Sequence, residues 1–195
     1  MSSASSRRER KKAATRQVIA DAARRLFLER GYEAVGVREI ADEADVAVTT
    51  LFAHFPCKEA LVFTQDEDFE RSIVQAVTDR ARHDPLIPAL RREIEELVRH
   101  CTTKEAVPVW RMVDETPALG DYDAAIRLRH AESLANAIAA SDDLGHSRVA
   151  CRAIAWFAID AYSLARQSAR PQAALDEVFL MIGAAWDASG TRRPD

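Results

Sequence analysis

Two short apolar segments, Val37 to about Ala44 and Ala47 to His54, stand only about three residues apart, directly behind a longer segment, Ala14 to Arg30. The longer one repeats apolar residues at Val18, Ile19, Ala22, Leu26 and Phe27, the spacing of one buried helix face, and Gly31 then ends it as a left-handed cap. Two short helices joined by so tight a turn, with a longer helix packed across them, form the minimum unit that presents a helix end to the major groove of DNA. Val37, Ile40, Ala41, Ala44, Val46, Leu51 and Phe55 supply its small core. Periodicity alone also allows an ordinary helical hairpin.

The rest of the chain reads as helix too. A long helix is expected from about Cys57 to His83, because Pro56 bars simple continuation of the preceding one. Breaks at Pro85 and Pro88, Pro108, Pro117 with Gly120, the polar stretch Asp142 to His146, and Pro171 then predict helices over Pro88 to Thr102, Ala106 to Glu115, Asp121 to Ala140, Ser147 to Ser168 and Pro171 to Ser189. With 6 glycines and 7 prolines in 195 residues, the expectation is an all-α protein of about nine helices. Residues 1–13 are expected as a disordered basic arm, 14–61 as the helix-turn-helix domain, 62–189 as a larger helical domain, and 190–195 as a flexible tail.

Net charge is −4, which alone argues against a nucleic-acid partner, but its distribution does not. Residues 1–61 hold 11 Lys and Arg against 9 Asp and Glu, and within residues 1–16 the count is six basic to one acidic. Such a run is either a solvated tail or a local footprint for phosphate. Three widely spaced cysteines, Cys57, Cys101 and Cys151, fit neither a disulfide framework nor a metal motif. No signal-like or membrane-length apolar run is present, so a soluble, cytoplasmic protein without a membrane partner is expected.

From Thr15 to Leu61 the chain resembles the DNA-binding domain of the tetracycline-repressor (TetR/AcrR) family. The resemblance is carried by Ile19-Ala20, Ala23, Leu26-Phe27 and Gly31-Tyr32, by Val37 through Ala44, and by Thr50-Leu51-Phe52, His54-Phe55-Pro56 and Lys58-Glu59-Ala60-Leu61. It implies that Thr50 and His54 face phosphate or base edges, and that Lys58 contacts a phosphate. Backbone N–H groups at the helix starts, beside Gly36, would meet the DNA backbone, with Arg16 and Arg38 adding charge. Base reading would fall to Ala47, Val48, Thr49 and Ala53, whose small or apolar surfaces suit thymine methyl groups. Three positions depart from the family pattern: Gly36 replaces a capping Thr, Asp45 replaces the turn Gly, and Phe52 replaces a Tyr whose hydroxyl would reach phosphate.

The same resemblance implies a repressor that binds palindromic operator DNA as a homodimer and is released by a small-molecule effector. Candidate pocket residues are Trp110, Met112, Glu115, Arg127, His130, Trp156 and Asp160, a mixture of aromatic and ionisable side chains. Candidate dimer-interface residues on the last two helices are Ile154, Phe157, Ala161, Ala165, Val178, Phe179, Ile182 and Trp186. An enzyme is not expected: the five histidines form no i, i+3 or i+4 pair, no Gly-rich phosphate loop is present, and no cofactor or metal is implied. The alternative is a helical ligand-binding or interaction protein with degenerate DNA recognition. Cys57, beside Lys58, is a minor redox candidate whose simpler role is that of a small residue opening a helix.

Overall fold

The computed structural model describes residues 3–141 and 144–190. Among these residues lie nine α-helices and no β-strand, in the order α1 (Ser3–Arg30), α2 (Val37–Glu43), α3 (Val48–His54), α4 (Asp66–Thr78), α5 (Leu86–Cys101), α6 (Val107–Glu115), α7 (Pro117–Ala139), α8 (Arg148–Gln167) and α9 (Pro171–Ser189). The all-α expectation holds. The described residues fall into two compact units: those up to Thr64 together with Pro108–Tyr122, and Gln65–Val107 together with those from Asp123 on. A single cut near residue 61 therefore misses that α6 and the first turn of α7 pack with the N-terminal helices.

In the first unit, one face of α1 closes over α2 and α3. Ile19, Ala23, Ile40, Ala41, Leu51 and Phe55 have no exposed surface. Burying side chains of this size stabilises the unit by about 1.5–3 kcal/mol each for the large ones. Val113 and Leu119 complete the same core, and Trp110, Met112 and Tyr122 pack against it. Phe63 joins them, edge-on to Trp110 at 6.0 Å and tilted against Tyr122 at 5.5 Å between ring centroids.

Three expectations are corrected here. Helix α1 begins at Ser3, so the segment expected as a disordered arm is helical from that residue, Met1 and Ser2 lying outside the described residues. Nothing between Ser3 and Arg30 breaks a helix, and Arg, Lys, Ala and Glu favour it, so the turns nucleated by the packed part of α1 propagate outward. The long helix expected from Cys57 to His83 is instead a short 3₁₀ turn, Glu59–Leu61, followed by α4. Helix α4 restarts at Asp66, where Asp66, Glu67 and Asp68 occupy the first turn and complement its positive dipole end. Gly120, expected at a boundary, lies inside α7. Of the expected tail, Gly190 is described and residues 191–195 lie outside the described residues.

In the second unit, α8 and α9 form a hairpin across Ser168–Arg170, and α5 packs on both and on α4. Ser147 caps α8 through its hydroxyl, which accepts from the Ala150 N–H, and Pro171 opens α9 where its missing N–H costs nothing. The His146 ring stacks on Trp186, 3.5 Å between centroids, and its Nε2 meets the Trp186 carbonyl at 3.1 Å. This ties the α7–α8 connection to the end of α9.

Candidate nucleic-acid interface

Helix α2 ends in a turn that sets the direction of α3. The Asp45 N–H donates to the Asp42 carbonyl at 3.1 Å and the Val46 N–H to the Ala41 carbonyl at 2.9 Å, the paired bonds of a Schellman motif. Asp45 occupies its left-handed position with φ of 51°. A non-glycine residue there carries strain of about 1 kcal/mol, which Asp tolerates better than most. The departure noticed in the sequence is thus a real backbone feature.

At the opposite end of α2, Gly36 is the N-cap and has no side chain to offer the helix start. Only one half of a capping box forms, as the Gly36 N–H donates to Glu39 Oε2 at 2.8 Å. Arg30 pairs with the other oxygen of Glu39 at 2.8 Å. The backbone bond first, and the guanidinium second, hold the Glu39 carboxyl below its usual range.

Helix α3 buries Leu51, with Phe55 just beyond it, and turns Ala47, Thr49, Phe52 and Ala53 outward. Val48, Thr50 and His54 sit half-buried on its flanks, and Arg38 is exposed on α2. Phe52 is 45% exposed on a helix whose other large apolar side chains are covered. The outward surface is small, partly apolar, and free of carboxylates along α3, the character suited to reading methyl groups rather than guanine edges.

Two of the expected DNA-contacting cations hold the unit together. Arg16 Nη1 donates to the His54 carbonyl at 2.7 Å and Nη2 to the Thr64 carbonyl at 3.3 Å, with the guanidinium carbon 4.3 Å from the centre of the Phe55 ring. It caps the C-terminal end of α3, where a cation also meets the negative dipole end. Lys58 donates from Nζ to the Tyr32 carbonyl at 2.7 Å and lies 4.0 Å from the centre of the Tyr32 ring. The Tyr32 hydroxyl in turn donates to Glu59 Oε1 at 2.9 Å. Burial and this carboxylate push the Tyr32 phenol up. His54 Nδ1 is buried without a partner, and burial, with Lys12 and Arg16 nearby, lowers the pKa of its imidazole. Cys57 is half-buried against the core.

The pocket candidates divide between the two units. Trp110 and Met112 pack in the first unit, while Glu115 and Trp156 are exposed. In the second unit Arg127 bridges Asp123 at 3.1 Å and Asp160 at 2.9 Å. His130, only 3% exposed, meets Asp66 Oδ1 through Nε2 at 2.7 Å. Arg129 joins Asp66 at 2.6 Å and Glu70 at 3.0 Å, and Ser133 donates to Glu70 at 2.5 Å. Burial raises the Asp66 carboxyl, but the bonds from His130 and Arg129 outweigh it and leave Asp66 below its usual range. Sequence reading missed this cluster. Its signal was the acidic pair Asp66 and Glu70, one turn apart, matched by Arg129 with Ser133 at the same spacing.

The dimer-interface candidates differ in how far the chain itself covers them. Ile154, Ala161, Ala165, Phe179, Ile182 and Trp186 are buried within the chain, at 8% exposure or less, and Val178 is half-buried. Phe157 remains outside at 53%. Helices α8 and α9 carry apolar residues on two faces, and the second comprises Val149, Trp156, Phe157 and Leu164 with Leu180 and Met181. Periodicity found the inner face because it is the more regular one. Among the described residues no group of three or more His, Cys, Asp or Glu is placed to hold a metal ion, and no helix is long and apolar enough to cross a membrane.

Residues 19–64 match the sequence profile of the tetR family of bacterial regulatory proteins. The HTH-type transcriptional repressor KstR of Mycolicibacterium smegmatis is 46% identical over 67 residues, 34% of this chain and 32% of that protein. KstR of Mycobacterium tuberculosis is 45% identical over 67 residues, 34% of this chain and 30% of that protein. The chain thus matches about a third of the length of these curated relatives. The fold is shared more widely. The TetR family repressor AlkX from Dietzia sp. superposes with a TM-score of 0.60 at 20% identity, over 89% of this chain and 98% of that one. The SmeT–triclosan complex gives 0.58 at 18%, over 92% and 93%.

Proposed function

We infer from the chain's membership of the TetR family of bacterial regulators, carried by residues 19–64, that it is a DNA-binding transcriptional repressor. The observation that carries this reading is the surface of α3, where Ala47, Thr49, Phe52 and Ala53 face outward from a helix locked in place by the Asp45 turn and by Arg16. Such a helix end enters a major groove, with Thr50, Arg38 and backbone N–H groups near Gly36 placed to meet phosphates. Arg16 and Lys58 act there chiefly as positioning groups. Their bonds fix the ends of α3 and of the turn after it.

A homodimer through the outer faces of α8 and α9 supplies the symmetry. Two copies of α3 set about 34 to 36 Å apart match successive grooves of a palindromic operator. The repressor is released when a small-molecule effector binds its DNA-incompetent state more tightly than the competent one. A neighbour of the same fold is known as a complex with triclosan, which supports an organic effector in the helical unit. Arg127 and Asp160, with the His130 and Asp66 pair, are the polar groups there best placed to respond.

The test is a fluorescence-anisotropy titration against the chain's own upstream DNA with a scrambled duplex as competitor, repeated with Ala53→Asp. Competitor-resistant binding that weakens with salt and is abolished by A53D is expected. Equal affinity for the scrambled duplex would overturn the repressor reading in favour of a helical ligand-binding protein.

A further inference from the structure

The first turns of α1 carry Arg7, Arg8, Arg10, Lys11 and Lys12, all exposed and none in an ion pair among the described residues. Other cations of the same helix are engaged: Arg16 with two carbonyls, Arg25 with Glu29 and Glu43, and Arg30 with Glu39. On a helix, residues four apart are neighbours, and like charges at that spacing repel. Arg7 with Lys11, Arg8 with Lys12, and Lys12 with Arg16 are three such pairs in succession. This charge ridge is self-repelling unless a polyanion lies against it.

The ridge leads to the recognition helix. Arg16 is anchored at the last carbonyl of α3, 2.7 Å away. Lys12 lies one turn before it, close enough that its charge acts on the His54 imidazole. Arg8 is one further turn out, about 12 Å from Arg16 along the axis at 1.5 Å per residue, or roughly three to four base pairs of duplex.

We propose that the first turns of α1 are a second DNA-binding element, which grips the phosphate backbone of the duplex flanking the operator. The proposal rests on the DNA-binding reading above. It adds affinity and footprint but no sequence preference, because phosphate contacts carry none.

The test uses an operator selected from random duplexes with the unaltered protein, prepared with long flanks and trimmed to the selected bases. The variant is R7Q/R8Q/K11Q/K12Q, with R7K/R8K/K11R/K12R as a charge-preserving control. On the long duplex the plot of log affinity against log salt is expected to flatten in the glutamine variant by up to about 3.6 units per subunit, about 7 for the homodimer. Its preference over scrambled DNA and its helicity stay unchanged, the control keeps the full slope, and trimming costs the unaltered protein what the glutamines cost. An unchanged slope on the long duplex, or lost preference in a fully helical variant, overturns the flanking element alone. Failure of the unaltered protein to select any operator overturns the repressor reading and this element with it.

Discussion

Arg16 donates to the carbonyl of His54 across 2.7 Å, joining the middle of α1 to the last turn of α3. Charge-assisted bonds of this kind are worth about 1.5–3 kcal/mol, and the contact with the Phe55 ring adds to them. Arg16→Ala is expected to lower stability by about 2 kcal/mol in urea unfolding, and Arg16→Lys by less. An unchanged midpoint in R16A would show that the tie carries no weight and return Arg16 to the pool of free DNA-contacting cations.

The left-handed Asp45 yields a prediction of opposite sign. Asp45→Gly removes the backbone strain at φ of 51° and is expected to raise stability by up to about 1 kcal/mol with an unchanged denaturant slope. It also removes a negative charge beside the DNA-reading helix, so operator affinity should rise. A destabilised D45G protein would mean that the Asp side chain supplies more than the turn costs.

Asp66 gives a pH dependence. Its folded-state pKa lies below the unfolded value, so its stabilising effect is complete above about pH 4 and is lost as pH falls through the folded value. Urea titrations between pH 7 and pH 2.5 should show this loss in the unaltered protein and a smaller one in Asp66→Asn. At pH 7, Asp66→Ala leaves His130 buried without its partner and should cost about 1–3 kcal/mol. Equal pH profiles for the unaltered protein and D66N would sever the link.

Phe157 and Leu180, at 53% and 77% exposure, lie on the outer faces of α8 and α9. Sedimentation velocity of F157E/L180E is expected to give a folded monomer where the unaltered protein gives a dimer. A dimer in both would place the subunit contact elsewhere.

Phe52 stands outward on α3 at 45% exposure. Phe52→Tyr restores a hydroxyl toward the DNA backbone and is expected to tighten operator binding several-fold at constant stability. Anisotropy titration of the two proteins side by side decides it.

The helix-turn-helix was legible in the sequence because its signals are local. Gly31 ends a helix, Pro56 ends another, and the apolar spacing of Ile40, Leu51 and Phe55 leaves one arrangement that covers them all. The fate of Arg16 and Lys58 was not legible, since a cation that ties carbonyls and one that waits for phosphate look alike in one dimension. Helices α8 and α9 were found in the right place, but which of their apolar stripes the chain covers itself was not legible, because two stripes share each helix and only tertiary packing chooses between them. The Asp66 cluster joins two pairs about sixty positions apart; the spacing within each pair is visible in the sequence, but not that the two pairs meet.

The turn between α2 and α3 is closed by main-chain bonds from Asp45 and Val46, and α3 buries only Leu51 from within itself. The direction of this helix is therefore independent of the identity of the residues it displays. Substitutions at Ala47, Thr49 and Ala53 can accumulate without renegotiating the geometry that holds them, so target choice can drift by single exchanges while the reading head keeps its aim.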